Sequence, residues 1–217
     1  KVIPIHVLNM AIIDKSISFE KPSLLDNGFK KAFQRKLEQI VDDFNSLDTK
    51  TYILGDEMEL GYSNMPFAYT PESYSKAVEA FRLWLKDRYQ TLSQLNNQWE
   101  TTFKSWDQVV PMSIEEVLQR KNIGPWLDFR VYLDSYWTDI FKYAGEVIKG
   151  KQGDGKVGVS GTPDPSTHNG YDYSYFTKAI GEIITYPGIQ RELVRSFAKP
   201  DTYRSGWVGY DLSDQNE

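Results

Sequence analysis

The sequence predicts an α/β fold built on a parallel sheet. Short apolar runs at 2–10, 52–54, 156–161 and 183–187 are bounded by turn residues, as strands buried on both faces are. Segments with helical apolar spacing stand between them. The links are short, and strand, helix, strand in that order implies parallel crossover units.

The first strand runs from Val2 to Met10, with Pro4 near its start, where proline is tolerated. His6 within it reads as a packed side chain rather than a catalyst. Asn9 falls near its end. After a polar loop to Asp26, Asn27 caps a helix whose Phe29, Phe33, Leu37, Ile40 and Phe44 form one face. Asn45-Ser46-Leu47-Asp48 ends it. The second strand follows as Tyr52-Ile53-Leu54-Gly55-Asp56-Glu57-Met58-Glu59-Leu60, an apolar run, a glycine and then carboxylates. Gly61 to Thr70 is a loop with Tyr62, Met65, Phe67 and Tyr69. It leaves directly from the acidic strand end, so it reads as a wall of a cleft.

Thr70-Pro71-Glu72-Ser73 reads as an N-cap with proline at the first helical position. The helix that follows carries Tyr74, Val78, Phe81, Leu85 and Tyr89, and breaks near Gln90-Thr91-Leu92, where Thr91 caps a second helix. Pro125 opens a long helix with Phe129, Leu133, Tyr136, Ile140, Tyr143 and Val147 on its expected apolar face. Beyond the Gly150–Gly155 turn and the strand at 156–161, the loop Thr162 to Tyr175 holds His168, Asn169, Tyr171 and Asp172. A short helix is expected over Phe176–Ile180, a strand over Ile183–Pro187 with Tyr186 at its end, a helix over Ile189–Phe197 with Ile189, Leu193, Val194 and Phe197 on one face, and a last strand over Gly206–Asp211.

Composition bounds the function classes. Of the 217 residues, 40% are hydrophobic and 25% charged, the balance of a soluble globular chain. The net charge of −5 leaves no basic stripe for phosphates, which argues against nucleic acid. No apolar run is long enough to span a bilayer. No leader peptide is expected, because Lys1 adjoins a core strand. A chain that does not open on methionine reads as a processed protein or a fragment. The compartment stays open.

Cysteine is absent, which excludes thiol catalysis, disulfides and thiolate metal sites. Two histidines leave few members for a triad or an imidazole metal site. Nothing in the sequence requires a metal or organic cofactor. Hydrolytic chemistry would therefore rest on carboxylates. The 14 Tyr, 6 Trp and 11 Phe suit stacking on sugar rings, although large aromatics also dominate cores.

Asp56, Glu57 and Glu59 fall at the C-terminal edge of a predicted strand. In parallel α/β folds the loops at that edge converge on one cavity. A carboxylate held there by a rigid element, with its pKa raised by burial, meets the requirement for a general acid. The alternative is an acidic rim or a helix N-cap without chemistry.

The motif Trp84-Leu85-x-x-Arg88-Tyr89-x-x-Leu92-x-x-Leu95-Asn96-x-x-Trp99, then Phe103-x-x-Trp106-Asp107, then Leu127-Asp128-Phe129-Arg130, resembles the barrel domain of family 42 glycoside hydrolases. The resemblance covers about the first two thirds of the chain and rests on helix residues. It implies a (β/α)₈ TIM-type barrel, here incomplete, with about strands three to seven and their helices in one partial domain over residues 1–217. It implies a retaining, β-galactosidase-like glycosidase acting on a β-linked oligo- or polysaccharide, with Glu57 as acid/base at the end of the fourth strand. The residue before that glutamate is asparagine in the family, where it bonds a sugar hydroxyl, and Asp56 here. The nucleophile is expected at the end of the seventh strand, where Asp211 stands in place of the family's glutamate, or beyond residue 217. Asn9, Asp56, Tyr62, His168, Tyr171 and Tyr186 are the expected saccharide contacts. A barrel short of strands has open edges, which the rest of a larger chain or a second copy would cover. The competing expectation is a non-catalytic carbohydrate-binding or structural fragment of such a barrel.

Overall fold

Five strands lie side by side in chain order: β1 (Ile5–Val7), β2 (Thr51–Asp56), β3 (Lys156–Ser160), β4 (Glu182–Thr185) and β5 (Tyr203–Gly206). Every neighbouring pair is parallel. The structure is a computed structural model and describes residues 5–7, 24, 27–56, 71–112, 114–162 and 171–206. Among the described residues, seven α-helices connect or flank the strands: α1 (Asn27–Asn45), α2 (Pro71–Tyr89), α3 (Leu92–Trp99), α4 (Ile114–Leu118), α5 (Gly124–Lys151), α6 (Tyr173–Phe176) and α7 (Ile189–Phe197).

The two faces of the sheet can be told apart by contact. A Cβ placed on Gly145 of α5 would stand 3.2 Å from Cγ1 of Val157, so Val157 turns toward the helices. A Cβ on Gly158 would instead meet Cδ1 of Ile53 at 2.6 Å and Cβ of Glu182 at 3.0 Å. Side chains alternate along strands, and parallel partners in register share a face. Thr51, Ile53, Gly158, Ser160, Glu182, Ile184 and Ser205 therefore line the inner face. Tyr52, Leu54, Val157, Val159 and Ile183 line the outer one. The outer set packs with Phe33, Leu37, Ile40 and Val41 of α1 and with Trp137, Ile140, Phe141, Ala144 and Ile148 of α5.

A second core lies above the sheet's carboxyl edge. It joins Phe81 and Leu85 of α2, Leu95 and Trp99 of α3, Val117 of α4, and Trp126, Phe129, Tyr132 and Leu133 of α5. The 28 residues of α5 span about 42 Å at 1.5 Å each, far more than a five-residue strand of about 17 Å. Its C-terminal half covers the sheet, and its N-terminal half forms the floor of this helical lobe. The break between α2 and α3 falls where the sequence places it: Gln90 adopts φ 63°, and the Thr91 hydroxyl accepts the Gln94 N–H at 3.2 Å.

Four sequence expectations need correction. The buried stripe of α5 runs through Phe129, Leu133, Trp137, Ile140, Ala144 and Ile148. Tyr136, Tyr143 and Val147 lie on its flank, where the Tyr143 hydroxyl donates to Gln34 Oε1 at 3.2 Å. A helix of this length drifts off a fixed four-and-three spacing, and the phenol seeks a polar partner. Helix α6 starts at Tyr173 rather than Phe176, because the Asp172 carboxylate caps it by accepting the Ser174 N–H at 2.9 Å. On α7, Ile189 and Phe197 are exposed, while Gln190 and Val194 are buried. Strand β5 begins three residues before the expected Gly206. Tyr203, Arg204 and Ser205 are exposed and carry no apolar run, so backbone pairing with Glu182–Ile184 makes the strand.

Candidate active site at the carboxyl edge of the sheet

Parallel strands place all their C-terminal ends on one side, and the described ends there are Asp56, Ser160-Gly161-Thr162, Thr185-Tyr186 and Gly206. The decisive local feature is a bulge in β2. Ile53 faces Gly158, yet Asp56 faces Ser160, so three steps on β2 match two on β3. Simple alternation would have turned Asp56 outward with Tyr52 and Leu54. The extra residue at Leu54-Gly55 resets the register and brings Asp56 onto the inner face beside Ser160. The Ser160 hydroxyl, on a buried residue, donates to Asp56 Oδ1 at 2.7 Å, while Asp56 itself is exposed. Beyond β3, Gly161 takes φ 61° and donates its N–H to Ile184 O at 2.9 Å. The next residue, Thr162, is fully buried, and its hydroxyl has no hydrogen-bond partner among the described residues.

Of the sequence-derived site residues, the structure describes three. Asp56 and Tyr186 both stand at this edge, Tyr186 directly after β4 and partly exposed. Tyr171, expected to contact saccharide, is only 7% exposed. Its ring packs 4.4 Å from Phe176 and 6.4 Å from Trp137 between centroids, so it anchors the returning chain to the core. Glu57, Asp211, Asn9, Tyr62 and His168 lie outside the described residues.

Sequence reasoning missed Ser160 and Asp134. Ser160 ends the run Val157-Gly158-Val159-Ser160, and only the bulge reveals its partner. Asp134 sits on α5 below the point where the chain returns from the β3 end. Its Oδ1 lies 3.4 Å from the Asp172 N–H and 3.8 Å from Arg130. Burial pushes its carboxyl up to about 6, against the opposing pull of Arg130 and the Asp172 amide. An acid whose native pKa exceeds its unfolded value favours folding while protonated. Its contribution is full below about pH 4 and is lost as pH rises through about 6. Asp134→Asn should therefore flatten stability across that window, removing a change on the order of 2 kcal/mol. Denaturant midpoints measured from pH 4 to 7 check it; a variant with an unchanged pH slope would exclude Asp134 as its source.

The sequence profile of glycoside hydrolase family 42, beta-galactosidase, matches residues 60–198. The chain belongs to that family. The beta-galactosidase BgaP of Planococcus sp. (strain L4) is 31% identical over 80 residues, which are 33% of this chain and 12% of that protein. The beta-galactosidase structure from Bacillus circulans sp. alkalophilus superposes with TM-score 0.58 at 19% identity, covering 78% of this chain and 25% of that one. The catalytic domain of the beta-amylase from Paenibacillus polymyxa gives TM-score 0.57 at 17% identity, over 82% of this chain and 51% of that one. The parallel sheet is thus part of a (β/α)₈ barrel, and the family 42 chain spans about a quarter of the B. circulans structure. The match to a beta-amylase is a likeness of fold alone, and one fold serves several chemistries. No described helix is long and apolar enough to cross a membrane.

Proposed function

We propose that this family 42 chain forms the acid/base-bearing part of a retaining, β-galactosidase-like glycoside hydrolase, with residues 1–217 as a single partial barrel domain. One observation carries this reading: the bulged β2 ends at Asp56, on the inner face of an all-parallel sheet, and Glu57 is the next residue in the chain. Backbone pairing fixes a carboxyl at a strand end more firmly than a loose loop would, and Asp56 is the last residue of β2.

In this reading Glu57 protonates the glycosidic oxygen as the bond to the leaving sugar breaks. A second carboxylate, about 5–5.5 Å away, attacks the anomeric carbon. Deprotonated Glu57 then takes a proton from water, whose oxygen displaces the enzyme carboxylate. Asp211 or a carboxylate outside residues 1–217 supplies the nucleophile. Asp56 and Tyr186, with Asn9, Tyr62 and His168, contact the β-linked saccharide, and Tyr171 supports them from the core.

Glu57→Gln keeps the shape of the side chain and removes the proton. Hydrolysis of 4-nitrophenyl β-D-galactoside by the whole protein should fall about 10²-fold while sugar binding survives. Unchanged turnover would end the role of Glu57. The alternative is a non-catalytic carbohydrate-binding fragment, and the family match, residues 60–198, does not include Glu57. Wild-type protein that binds galactose but hydrolyses no aryl glycoside would support that reading instead.

A further inference from the structure

Asp56 is the one carboxylate among the described residues at the strand ends, and its surroundings there are neutral: Ser160, Gly161, Thr162, Thr185, Tyr186 and Gly206. Among the described residues it has no ion-pair partner; its bond is the one from Ser160. That bond occupies Oδ1 and fixes the side chain, leaving Oδ2 for a ligand. An ionised carboxylate accepts and never donates. A neutral hydroxyl would satisfy it only in part, because closing a saccharide over the mouth removes water from a charge that no described residue balances. A protonated amine neutralises it and makes a charge-assisted bond, about twice as strong as a neutral one. A carboxylate on the sugar would meet it acceptor to acceptor, and an acetamido group could offer it only one neutral N–H. The chain's net charge of −5 also favours a cationic ligand at long range.

We propose that Asp56, aimed by the β2 bulge and held by Ser160, makes this mouth selective for amino sugars, saccharides bearing a free protonated amine. This rests on the glycosidase reading and adds the substrate class. Ser160 is a positioning residue that acts through Asp56.

The test compares D-galactosamine, D-galactose and N-acetyl-D-galactosamine, which differ at one ring position, by calorimetric titration of the whole chain at slightly acid pH. Galactosamine should bind about tenfold tighter than galactose, a difference of about 1.4 kcal/mol, and also tighter than the uncharged N-acetyl sugar. The preference should shrink as salt is raised. Asp56→Asn should bring galactosamine and galactose to within about twofold of each other, whatever affinity both sugars lose. Ser160→Ala should reduce the preference without abolishing it. Equal binding of galactosamine and galactose by the wild type, or a preference that survives Asp56→Asn, overturns the assignment while leaving the glycosidase reading intact. Failure of all three sugars to bind, together with no hydrolysis of any aryl glycoside, removes both.

Discussion

Asp128→Ala is expected to destabilise the helical lobe by about 3–5 kcal/mol, the cost of removing one partner from a buried charged cluster. Asp128 is 5% exposed, in the middle of the lobe's aromatic core. Its Oδ2 accepts the indole N–H of Trp99 at 2.7 Å and the hydroxyl of Tyr89, and its Oδ1 faces Arg88 Nε at 3.1 Å. Trp99 is fully buried, so its N–H has no water to turn to once the carboxylate is gone; such an orphan costs about 1–3 kcal/mol. The Tyr89 hydroxyl adds a smaller penalty, since that residue is only partly buried. The ion pair itself contributes least, because the Arg88 side chain is 48% exposed. These unequal terms give the test its control. Arg88→Ala should cost less than Asp128→Ala, because Trp99 and Tyr89 still donate to the carboxylate it leaves behind. Chemical unfolding followed by tryptophan fluorescence reads the lobe directly, as Trp84, Trp99, Trp106 and Trp126 all belong to it. Equal losses from the two variants would show that charge pairing, not the buried donors, holds the cluster.

The same cluster gives physical meaning to the sequence motif. Arg88, Tyr89, Trp99 and Asp128 are four positions of the pattern that resembles family 42, and they converge on one carboxylate. The motif was legible as helix residues. Their convergence was not, because it needs α2, α3 and α5 folded against one another across 40 residues of chain. The parallel alternation was legible for a simpler reason. Runs such as Tyr52-Ile53-Leu54 are apolar on both faces, and few structures other than a covered parallel sheet bury both. What stayed hidden at the site was the bulge. Nothing in Ile53-Leu54-Gly55-Asp56 except the glycine marks an extra residue, and without it Asp56 would be assigned to the helix side. Strand β5 was misplaced because an edge strand is made by main-chain pairing, which leaves no mark on the polar Tyr203-Arg204-Ser205.

Gly158→Val should be as damaging as any single change in this chain, above about 4 kcal/mol, and Gly158→Ala should cost about 1–3 kcal/mol. Gly158 sits on the inner face of β3, clasped between β2 and β4. Even one Cβ there would stand 2.6 Å from Cδ1 of Ile53 and 2.9 Å from the backbone oxygen of Glu182. The isoleucine tip can rotate away, but the Glu182 carbonyl belongs to β4 and moves only with its strand. A branched side chain must therefore force β3 and β4 apart or lift β3 from β2. The control is Gly150→Ala, near the end of α5, where an added Cβ meets nothing within 4 Å. There the same methyl should stabilise by about 0.5–1 kcal/mol, because alanine restricts the unfolded chain and favours the helix. Thermal midpoints of the two alanine variants should shift in opposite directions; a shared direction would mean that the inner face is looser than its contacts indicate. The functional consequence follows from register. Gly158 lies two residues below Ser160, and Ser160 holds Asp56 across the β2–β3 seam. Any folded population of Gly158→Ala should accordingly lose discrimination between galactosamine and galactose before it loses affinity for galactose, since the seam opens while the neighbouring strand ends stay in place.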